Sequence, residues 1–180
     1  MTSFVRETHE TRIEIDLARG TGGATVETGQ RFLDHMLVTL ARYSRLDLRL
    51  AARGDLKHHL IEDSAIALGA AVAALAGEGI ARYGDRTLPM DDALVHVSLD
   101  VGGRPYYRGG LPSALYEHWM RSFADHARAT LHVRVLRGRD RHHVVEAAFK
   151  ALGLALRDAL LEDATAGSTK GTVRWGAGGC

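Results

Sequence analysis

Histidine and glutamate recur in this chain in one spacing, Gly-x-x-x-His-His-x-x-Glu, which occurs twice at a constant offset of 84 residues. The two copies consist of Gly54, His58, His59 and Glu62, and of Gly138, His142, His143 and Glu146. Imidazole nitrogens and carboxylate oxygens are ligands that proteins use for Zn, Fe, Ni, Cu and Mn. Because four chemically demanding residues stay in step over almost half the chain, the spacing predicts a duplicated metal site.

A further histidine precedes each copy. Asp34-His35-Met36 aligns with Glu117-His118-Trp119 at an offset of 83 residues. Adjacent helical residues point about 100° apart, so two neighbouring imidazoles do not easily bind one ion, whereas either histidine of a pair shares a face with its glutamate. We therefore expect two ions, each bound by one histidine of each pair, one upstream histidine and one glutamate. Such a set leaves positions of a six-coordinate ion open for substrate, as in catalytic sites.

The elements that must position these residues also repeat. Alternating and helical apolar patterns predict strands at 12–18, 24–28 and 46–52 and helices at 31–44 and 59–75, and then strands at 93–101, 104–108 and 129–137 and helices at 113–128 and 144–161. Each half is thus β-β-α-β-α, and helices on one face of small sheets give an α+β fold. We expect one compact duplicated domain over 1–180, with repeats at about 4–88 and about 89–164, a short junction near 82–90, and a tail at 165–180.

Composition excludes several classes of partner. The chain has 180 residues, 46% of them hydrophobic and 25% charged, with a net charge of +1, so no charge excess favours nucleic acid or anionic membranes. The longest nearly apolar run, 65–76, is shorter than a membrane span, and 1–16 is unlike a signal peptide. We therefore expect a cytoplasmic protein without membrane or nucleic-acid partners. Cys180, the single cysteine, cannot form an intrachain disulfide.

A second group of residues suits an anion. Ser168-Thr169-Lys170-Gly171 offers hydroxyls, backbone N–H groups and an ammonium in a glycine-rich tail, and Arg82 and Arg104 are planar donors in turn contexts. Together they predict a phosphate clamp. The tail lacks the spacing of a Walker A loop, and without the metal cluster it would be interpreted first as a flexible terminus.

These motifs, taken in order along the chain, carry a resemblance. Phe32-Leu33-Asp34-His35-Met36-Leu37, the two histidine pairs, Pro89-Met90-Asp91-Asp92-Ala93-Leu94, Gly103-Arg104-Pro105, Phe149-Lys150-Ala151 and the tail motif resemble the imidazoleglycerol-phosphate dehydratase family of histidine biosynthesis. The resemblance implies a duplicated β-β-α-β-α unit with two sheets flanking a helical bundle, as in the second domain of a small-subunit ribosomal protein. It also implies a homo-oligomer of 24 subunits joined through manganese sites, with active sites at subunit interfaces.

The same resemblance implies roles for particular residues. The metal ligands of two Mn²⁺ ions would be His35, His58, His59, Glu62, His118, His142, His143 and Glu146. Arg82, Arg104, Ser168 and Lys170 match the phosphate-binding positions, Glu10 matches a catalytic acid/base, and Asp92 stands where the family has a catalytic-site glutamate. The implied reaction converts imidazole-glycerol phosphate to imidazole-acetol phosphate and water, with Glu10 removing a proton from carbon.

Some positions depart from the family pattern: a shortened loop at 55–57, and Thr39, Tyr43, Asp92, Gly102 and Asp140. Several of them are expected near the substrate, so a paralogue acting on another imidazole or phosphorylated diol stays open. A metal-dependent hydrolase and a non-catalytic shell protein, whose ligands only join subunits, also stay open.

Overall fold

The computed structural model describes residues 1–77 and 79–163, so the predicted tail residues Ser168 and Lys170 lie outside the described part of the chain. The first half contains β1 (Thr2–Glu7), β2 (Thr11–Arg19), β3 (Ala24–Glu27), α1 (Arg31–Ser44), β4 (Leu46–Gly54) and α2 (Lys57–Ala76). The second half contains β5 (Tyr83–Met90), β6 (Ala93–Asp100), β7 (Tyr106–Arg108), α3 (Ala114–His126), β8 (Thr130–Arg137) and α4 (Arg141–Ala159). The two halves therefore have the same order of elements.

Both halves build the same four-stranded sheet, in the orders β1-β2-β4-β3 and β5-β6-β8-β7. The strand that precedes α1 or α3 runs parallel to the strand that follows it, and the other pairs are antiparallel. Along β2, Ile13, Ile15 and Leu17 are buried while the residues between them are exposed or half-buried. This alternation gives each sheet one apolar face, which the helices cover.

The four helices lie between the two sheets. Helices α1 and α2 pack on the first sheet and α3 and α4 on the second, while α1 also packs on α4 and α2 on α3. Helices of different halves therefore share one core. The α+β class with two sheets flanking a helical layer is confirmed.

Two equivalent glycines allow this helix packing. A Cβ on Gly69 of α2 would lie 2.7 Å from the carbonyl oxygen of Phe123 in α3, and one on Gly153 of α4 would lie 2.9 Å from that of Leu40 in α1. Real Cβ atoms do not approach a backbone oxygen so closely, so only glycine lets each helix pair come to this separation.

Trp119 fills the centre of the core. Its side chain is 0% exposed, its ring stacks on Phe123 and contacts Phe149, and its indole N–H donates to Ser64 Oγ at 3.3 Å. Because Ser64 lies on α2 and Phe149 on α4, this one ring ties three helices together.

Each half has one strand more than the sequence predicted. Strands β1 and β5 were missed, and β5 occupies the segment that was assigned to the junction. Both lie at a sheet edge. Most of the side chains of β1 are exposed, and β5 contains Pro89, so neither shows the buried alternation that identifies an inner strand.

Among the described helices, α2 alone is long and apolar enough by composition to cross a membrane, with a mean hydropathy of 1.4. Within the most apolar 18 residues of this helix, 61% are buried inside the protein. Its apolar surface is therefore already covered by the first sheet and by α3.

Candidate metal centre

Three predicted ligands meet where α1 and α4 begin. Glu146 Oε2 lies 3.4 Å from His35 Nε2 and 3.1 Å from His142 Nε2. One ligand atom from each of the three residues lies within 4.8 Å of the others, so one ion can contact all three.

An equivalent cluster lies where α2 and α3 begin. Glu62 Oε2 lies 3.4 Å from His58 Nε2, and Glu62 Oε1 lies 3.1 Å from His118 Nε2. Both clusters use the first histidine of a pair with the glutamate four residues later, the spacing that places two side chains on one helical face. Each takes its third ligand, His35 or His118, from the other half of the chain.

The two clusters lie at the same end of the helical layer. The rings of Phe32 and Tyr116, near the starts of α1 and α3, have centroids 5.1 Å apart. The ring pairs His35–His142 and His58–His118 likewise join helices near their first turns. The ligands therefore sit on rigid helices whose ends are fixed against each other.

Acidic residues fix the starts of α1 and α3, just before His35 and His118. Thr28 N–H and its hydroxyl donate to Asp34 Oδ1 at 2.9 and 2.5 Å. In the second half, the hydroxyl of Tyr107 and the N–H of Leu111 donate to Glu117 Oε2 at 2.7 and 2.8 Å. Each upstream histidine therefore follows a carboxylate that ties its helix to the preceding segment.

His59 and His143 do not join either cluster. His59 Nδ1 lies 2.8 Å from Asp55 Oδ1 and 3.7 Å from Glu10 Oε2. His143 Nδ1 lies 2.8 Å from Asp92 Oδ1. The hydrogen bond to the carboxylate raises the pKa of each imidazole. One chain thus assembles three of the four ligands expected for each ion.

Asp92 uses both carboxylate oxygens for structure. Oδ2 accepts the N–H groups of Arg139 and Asp140 at 2.7 and 3.1 Å, while Oδ1 faces His143. The N–H of Arg139, His143 and the N–H of Asp140 together lower the pKa of Asp92 to about 2. Asp92 therefore orients an imidazole and holds the start of α4, with no oxygen left without a partner.

The donors fit a divalent transition ion. Each cluster offers two imidazoles and one carboxylate, a ligand set that suits first-row metals. His118 Nε2 is shielded from solvent and makes no hydrogen bond, although Glu62 Oε1 lies 3.1 Å away. A buried nitrogen lone pair without a donor is what a metal ion would satisfy.

The two clusters differ in charge. Lys150 Nζ lies 2.9 Å from Glu146 Oε1, and Glu146 is 7% exposed. Burial alone would raise the pKa of Glu146, but Lys150 and His35 together lower it. The equivalent of Lys150 in the first half is Ile66, so among the described residues only the cluster with Glu146 has an ammonium group beside its carboxylate.

The two predicted phosphate-binding residues that the structure describes, Arg82 and Arg104, lie at the other end of the helical layer. Arg82 N–H donates to the carbonyl oxygen of Ala159 at the end of α4, roughly 25 Å along the helix from His142. The Arg82 guanidinium pairs with Asp100 at 3.0 Å, and the nearby segment Gly103-Arg104 leaves Arg104 exposed. Glu162 pairs with Ile80, so the chain also enters its tail at this end.

Thr39 and Tyr43, which depart from the expected pattern, lie one and two helical turns after His35 on the same face of α1. Thr39 is buried, and the ring of Tyr43 lies 5.9 Å from Lys150 Nζ. Tyr43 therefore lies near the lysine that pairs with Glu146, and Thr39 lies one helical turn nearer to His35.

Comparison with known proteins decides the family, because the profile of imidazoleglycerol-phosphate dehydratase matches residues 28–156. The chain belongs to the imidazoleglycerol-phosphate dehydratase family. A relative of that name from Methanoculleus marisnigri is 46% identical over 93% of this chain and 96% of its own length. The one from Pyrobaculum calidifontis is 46% identical over 96% of this chain and 100% of its own.

Solved structures of the imidazoleglycerol-phosphate dehydratase family share the fold. The crystal structure from Pyrococcus furiosus, in complex with (S)-C348, matches 94% of this chain and 100% of its own with a TM-score of 0.87 and 39% identity. The Staphylococcus aureus structure matches 90% of this chain and 99% of its own with a TM-score of 0.80 and 32% identity. The family resemblance found in the sequence is confirmed.

Sequence reasoning missed three carboxylate or ammonium partners in this family member: Asp55, Asp63 and Lys150. Asp55 lies four residues before His59, and Lys150 lies four residues after Glu146, so helical spacing could have identified both. Asp63 gives no such signal, because its partners Arg6 and Thr11 lie on other elements.

Proposed function

We propose that this chain dehydrates imidazole-glycerol phosphate to imidazole-acetol phosphate, as a metal-dependent hydro-lyase of histidine biosynthesis. The observation that carries the proposal is the pair of His₂Glu clusters, built across the two halves of a member of this family. The imidazole of a small phosphorylated substrate would meet the nitrogen and oxygen ligands at the metal end of one copy of the chain. Its phosphate would meet arginines from the opposite end of another copy.

Two Mn²⁺ ions are the proposed cofactors, one in each cluster. His59 and His143, which face away from their own clusters, would supply the fourth ligand to ions held by neighbouring copies of the chain. When bound, such cations would withdraw electrons from the substrate imidazole and thereby ease the loss of a hydroxyl group from the adjacent carbon.

Glu10 is the proposed acid/base. Its side chain is exposed, in the turn between β1 and β2, and its Oε2 lies 3.7 Å from His59 Nδ1. From there the carboxylate would take the proton from the second carbon of the substrate. The hydroxyl group leaves with a proton as water, and the resulting enol becomes the ketone.

The active site would be shared between copies of the chain. The cluster with His142 and the phosphate arginines lie roughly 25 Å apart along α4, farther than one small substrate can span. A second copy would bring its arginine end, with Arg82 and Arg104, to the metal end of the first, and Ser168 and Lys170 are the other two residues that we propose to bind the phosphate. We therefore propose a homo-oligomer, with the 24-subunit shell as the expected size, working in the cytoplasm.

Turnover by the purified protein tests this function. The Mn²⁺-loaded protein is incubated with imidazole-glycerol phosphate, and formation of the ketone is followed with an EDTA-treated sample and a Glu10→Gln variant alongside. We expect metal-dependent product formation that the variant loses. Stoichiometric Mn²⁺ binding without product would contradict the dehydratase and favour another substrate, with Thr39 and Tyr43 as the residues to change.

A further inference from the structure

Asp63 is a buried carboxylate that the proposed chemistry does not use. It follows Glu62 on α2, and it is 7% exposed. Arg6 Nη1 donates to its Oδ2 at 2.6 Å, and the hydroxyl of Thr11 donates to the same oxygen. Because a charge is buried at a cost unless it is paired, these contacts indicate a built connection between α2 and the first two strands.

The connection leads to the turn that carries Glu10. Thr8 Oγ1 accepts the N–H groups of Glu10 and Thr11 at 3.2 and 3.0 Å, and it lies 3.3 Å from Thr11 Oγ1. The carbonyl oxygen of Glu10 also accepts the N–H of Asp55, at 3.1 Å. The turn backbone is therefore fixed to the helix that bears Glu62, while these contacts leave the Glu10 carboxylate unused.

The second half fixes its equivalent turn in another way. The residue that corresponds to Asp63 is Ala147, which can accept no side-chain hydrogen bond. There the turn carboxylate itself, Asp92, binds His143 and the start of α4. Since Asp63 anchors the first turn from outside, the Glu10 carboxylate does not have to hold a helix, whereas the Asp92 carboxylate does.

We propose that Asp63 is a positioning residue, which holds the turn of Glu10 at a set distance from the metal ligands on α2 through Thr11 and Thr8. The proposal rests on the proposed function, because it assigns the purpose of the contact to placing Glu10 for proton transfer. Arg6 neutralises the buried carboxylate, and the Thr11 hydroxyl transmits its position to the turn.

Steady-state kinetics of the Mn²⁺-loaded protein test this role. Asp63→Asn and Thr11→Val should each lower kcat by roughly 10- to 100-fold, since displacing a reacting group by about 1 Å has such effects. KM and Mn²⁺ stoichiometry should stay unchanged. Thr11→Ser, which keeps the hydroxyl, should recover most of the activity, and Asp85→Asn, an exposed carboxylate on β5, controls for loss of charge.

A double variant separates positioning from general stability. If Asp63 acts through Glu10, Asp63→Asn combined with Glu10→Gln should be no slower than the residual rate that Glu10→Gln alone shows at high enzyme concentration. Effects that multiply fully, an unchanged kcat in Asp63→Asn, or a Thr11→Ser variant as slow as Thr11→Val would each overturn the proposal. If Asp63→Asn does not fold, the comparison of kcat between Thr11→Val and Thr11→Ser tests the proposal instead.

Amide hydrogen exchange keeps the two proposals apart. The N–H groups of Glu10 and Thr11 should exchange faster in Asp63→Asn and in Thr11→Val than in the wild type, whether or not substrate is turned over. A wild-type protein without dehydratase activity would contradict the proposed function, while faster exchange would still support the anchoring by Asp63. Unchanged exchange at both positions would refute the anchoring itself.

Discussion

A carboxylate holds each outward-facing imidazole, but the two carboxylates come from positions that the duplication does not relate. Asp55 lies just before α2 and corresponds to Arg139, whereas Asp92 lies in the β5–β6 turn, the equivalent of the β1–β2 turn that carries Glu10. A carboxylate on Nδ1 fixes the orientation of the ring and leaves Nε2 as the donor atom for a metal. The two halves thus reach the same pairing from different places in the chain.

The Lys150 ammonium should make the two metal clusters unequal. It lies 2.9 Å from Glu146 Oε1 and would repel a cation bound there, whereas the apolar side chain of Ile66 stands at the equivalent place in the first half. Lys150→Met should therefore strengthen Mn²⁺ binding at the weaker site by about tenfold, because removing a like-charge repulsion of about 1.4 kcal/mol changes an affinity by that factor. Calorimetric titration at mildly alkaline pH measures both sites.

Ile66→Lys provides the matched change in the other half, and it should weaken the cluster that contains Glu62. Ile66 is only half-buried, so a lysine stem can be accommodated there with its ammonium near the carboxylate. Two sites of equal affinity in the wild type, or no response to Lys150→Met, would contradict the electrostatic explanation.

At the level of residues, spacing predicted which side chains are available to cluster better than how they are grouped. Helical geometry implied that one histidine of each pair joins the glutamate, and both clusters use the first histidine. Which histidine would face inward depends on the position of His35 or His118 from the other half, information that no local pattern contains. Asp63 was missed because an aspartate after a glutamate is typical of an exposed helix face.

Close helix contact at Gly153 should be necessary for the metal site on α1 and α4. In Gly153→Ala, the new Cβ would meet the Leu40 carbonyl oxygen at 2.9 Å, so the helices must separate. We expect a loss of about 1–3 kcal/mol in the free energy of unfolding, as for other overpacked cores. His35 should move away from Glu146 and bind Mn²⁺ more weakly. Denaturant unfolding and metal titration measure the two effects.

Gly110→Ala is the control for that change, because a Cβ there would meet no atom within 4 Å. If Gly153→Ala were as stable as Gly110→Ala, the packing argument would be refuted. Equal losses of affinity at both metal clusters would point to general unfolding in place of a local shift of α1.

Asp47, which accepts hydrogen bonds from the turn between β2 and β3, should make the free energy of unfolding depend on pH in the acid range. The N–H groups of Gly23, Thr21 and Gly22 donate to Asp47 Oδ1 at 2.9–3.0 Å and lower the pKa of this carboxyl group. The stabilisation is therefore complete above the unfolded pKa, about 3.9, and is lost as pH falls through the lower folded pKa. Thermal unfolding from about pH 5 to pH 2 should show a smaller decrease of Tm for Asp47→Asn than for the wild type.

A parallel decrease of Tm in wild type and Asp47→Asn would show that Asp47 does not carry this linkage. Asp16→Asn is a suitable second variant, because Asp16 lies on the neighbouring strand β2 of the same sheet.

At the level of elements, the amphipathic helices and inner strands were predictable, and the first strand of each half was not. Helix α1 was predicted with its observed bounds because its apolar residues recur at three and four positions. Edge strands β1 and β5 bury few side chains, and their hydrogen bonds depend on the neighbouring strand rather than on local pattern.

The proposed metal ligands and the predicted phosphate-binding arginines lie at opposite ends of the molecule, which predicts complementation between inactive variants. Glu10→Gln impairs the metal end, and Arg104→Ala impairs the phosphate end. If each active site combines opposite ends of two copies, randomly mixed oligomers should regain up to about a quarter of wild-type activity. The assay compares the co-expressed pair with the two variants purified separately and mixed without subunit exchange.

A mixed oligomer with no more activity than its two parents would contradict a shared site. A mixture of Glu10→Gln with Asp63→Asn is the matched control. Both changes affect the metal end, so no site in the mixed oligomer contains an unaltered metal end, and the activity should not exceed that of Asp63→Asn alone.

The position of Trp119 makes one half of the metal centre optically distinct from the other. This tryptophan directly follows His118 in the sequence, whereas a methionine, Met36, follows His35, and the second tryptophan of the chain is Trp175. In a Trp175→Phe variant, the single indole is enclosed by Phe123 and Phe149 and shielded from water, so its fluorescence emission is blue-shifted. A quenching ion such as Co²⁺ would dim that emission most strongly from the adjacent cluster, so filling of one cluster can be timed separately from filling of the other.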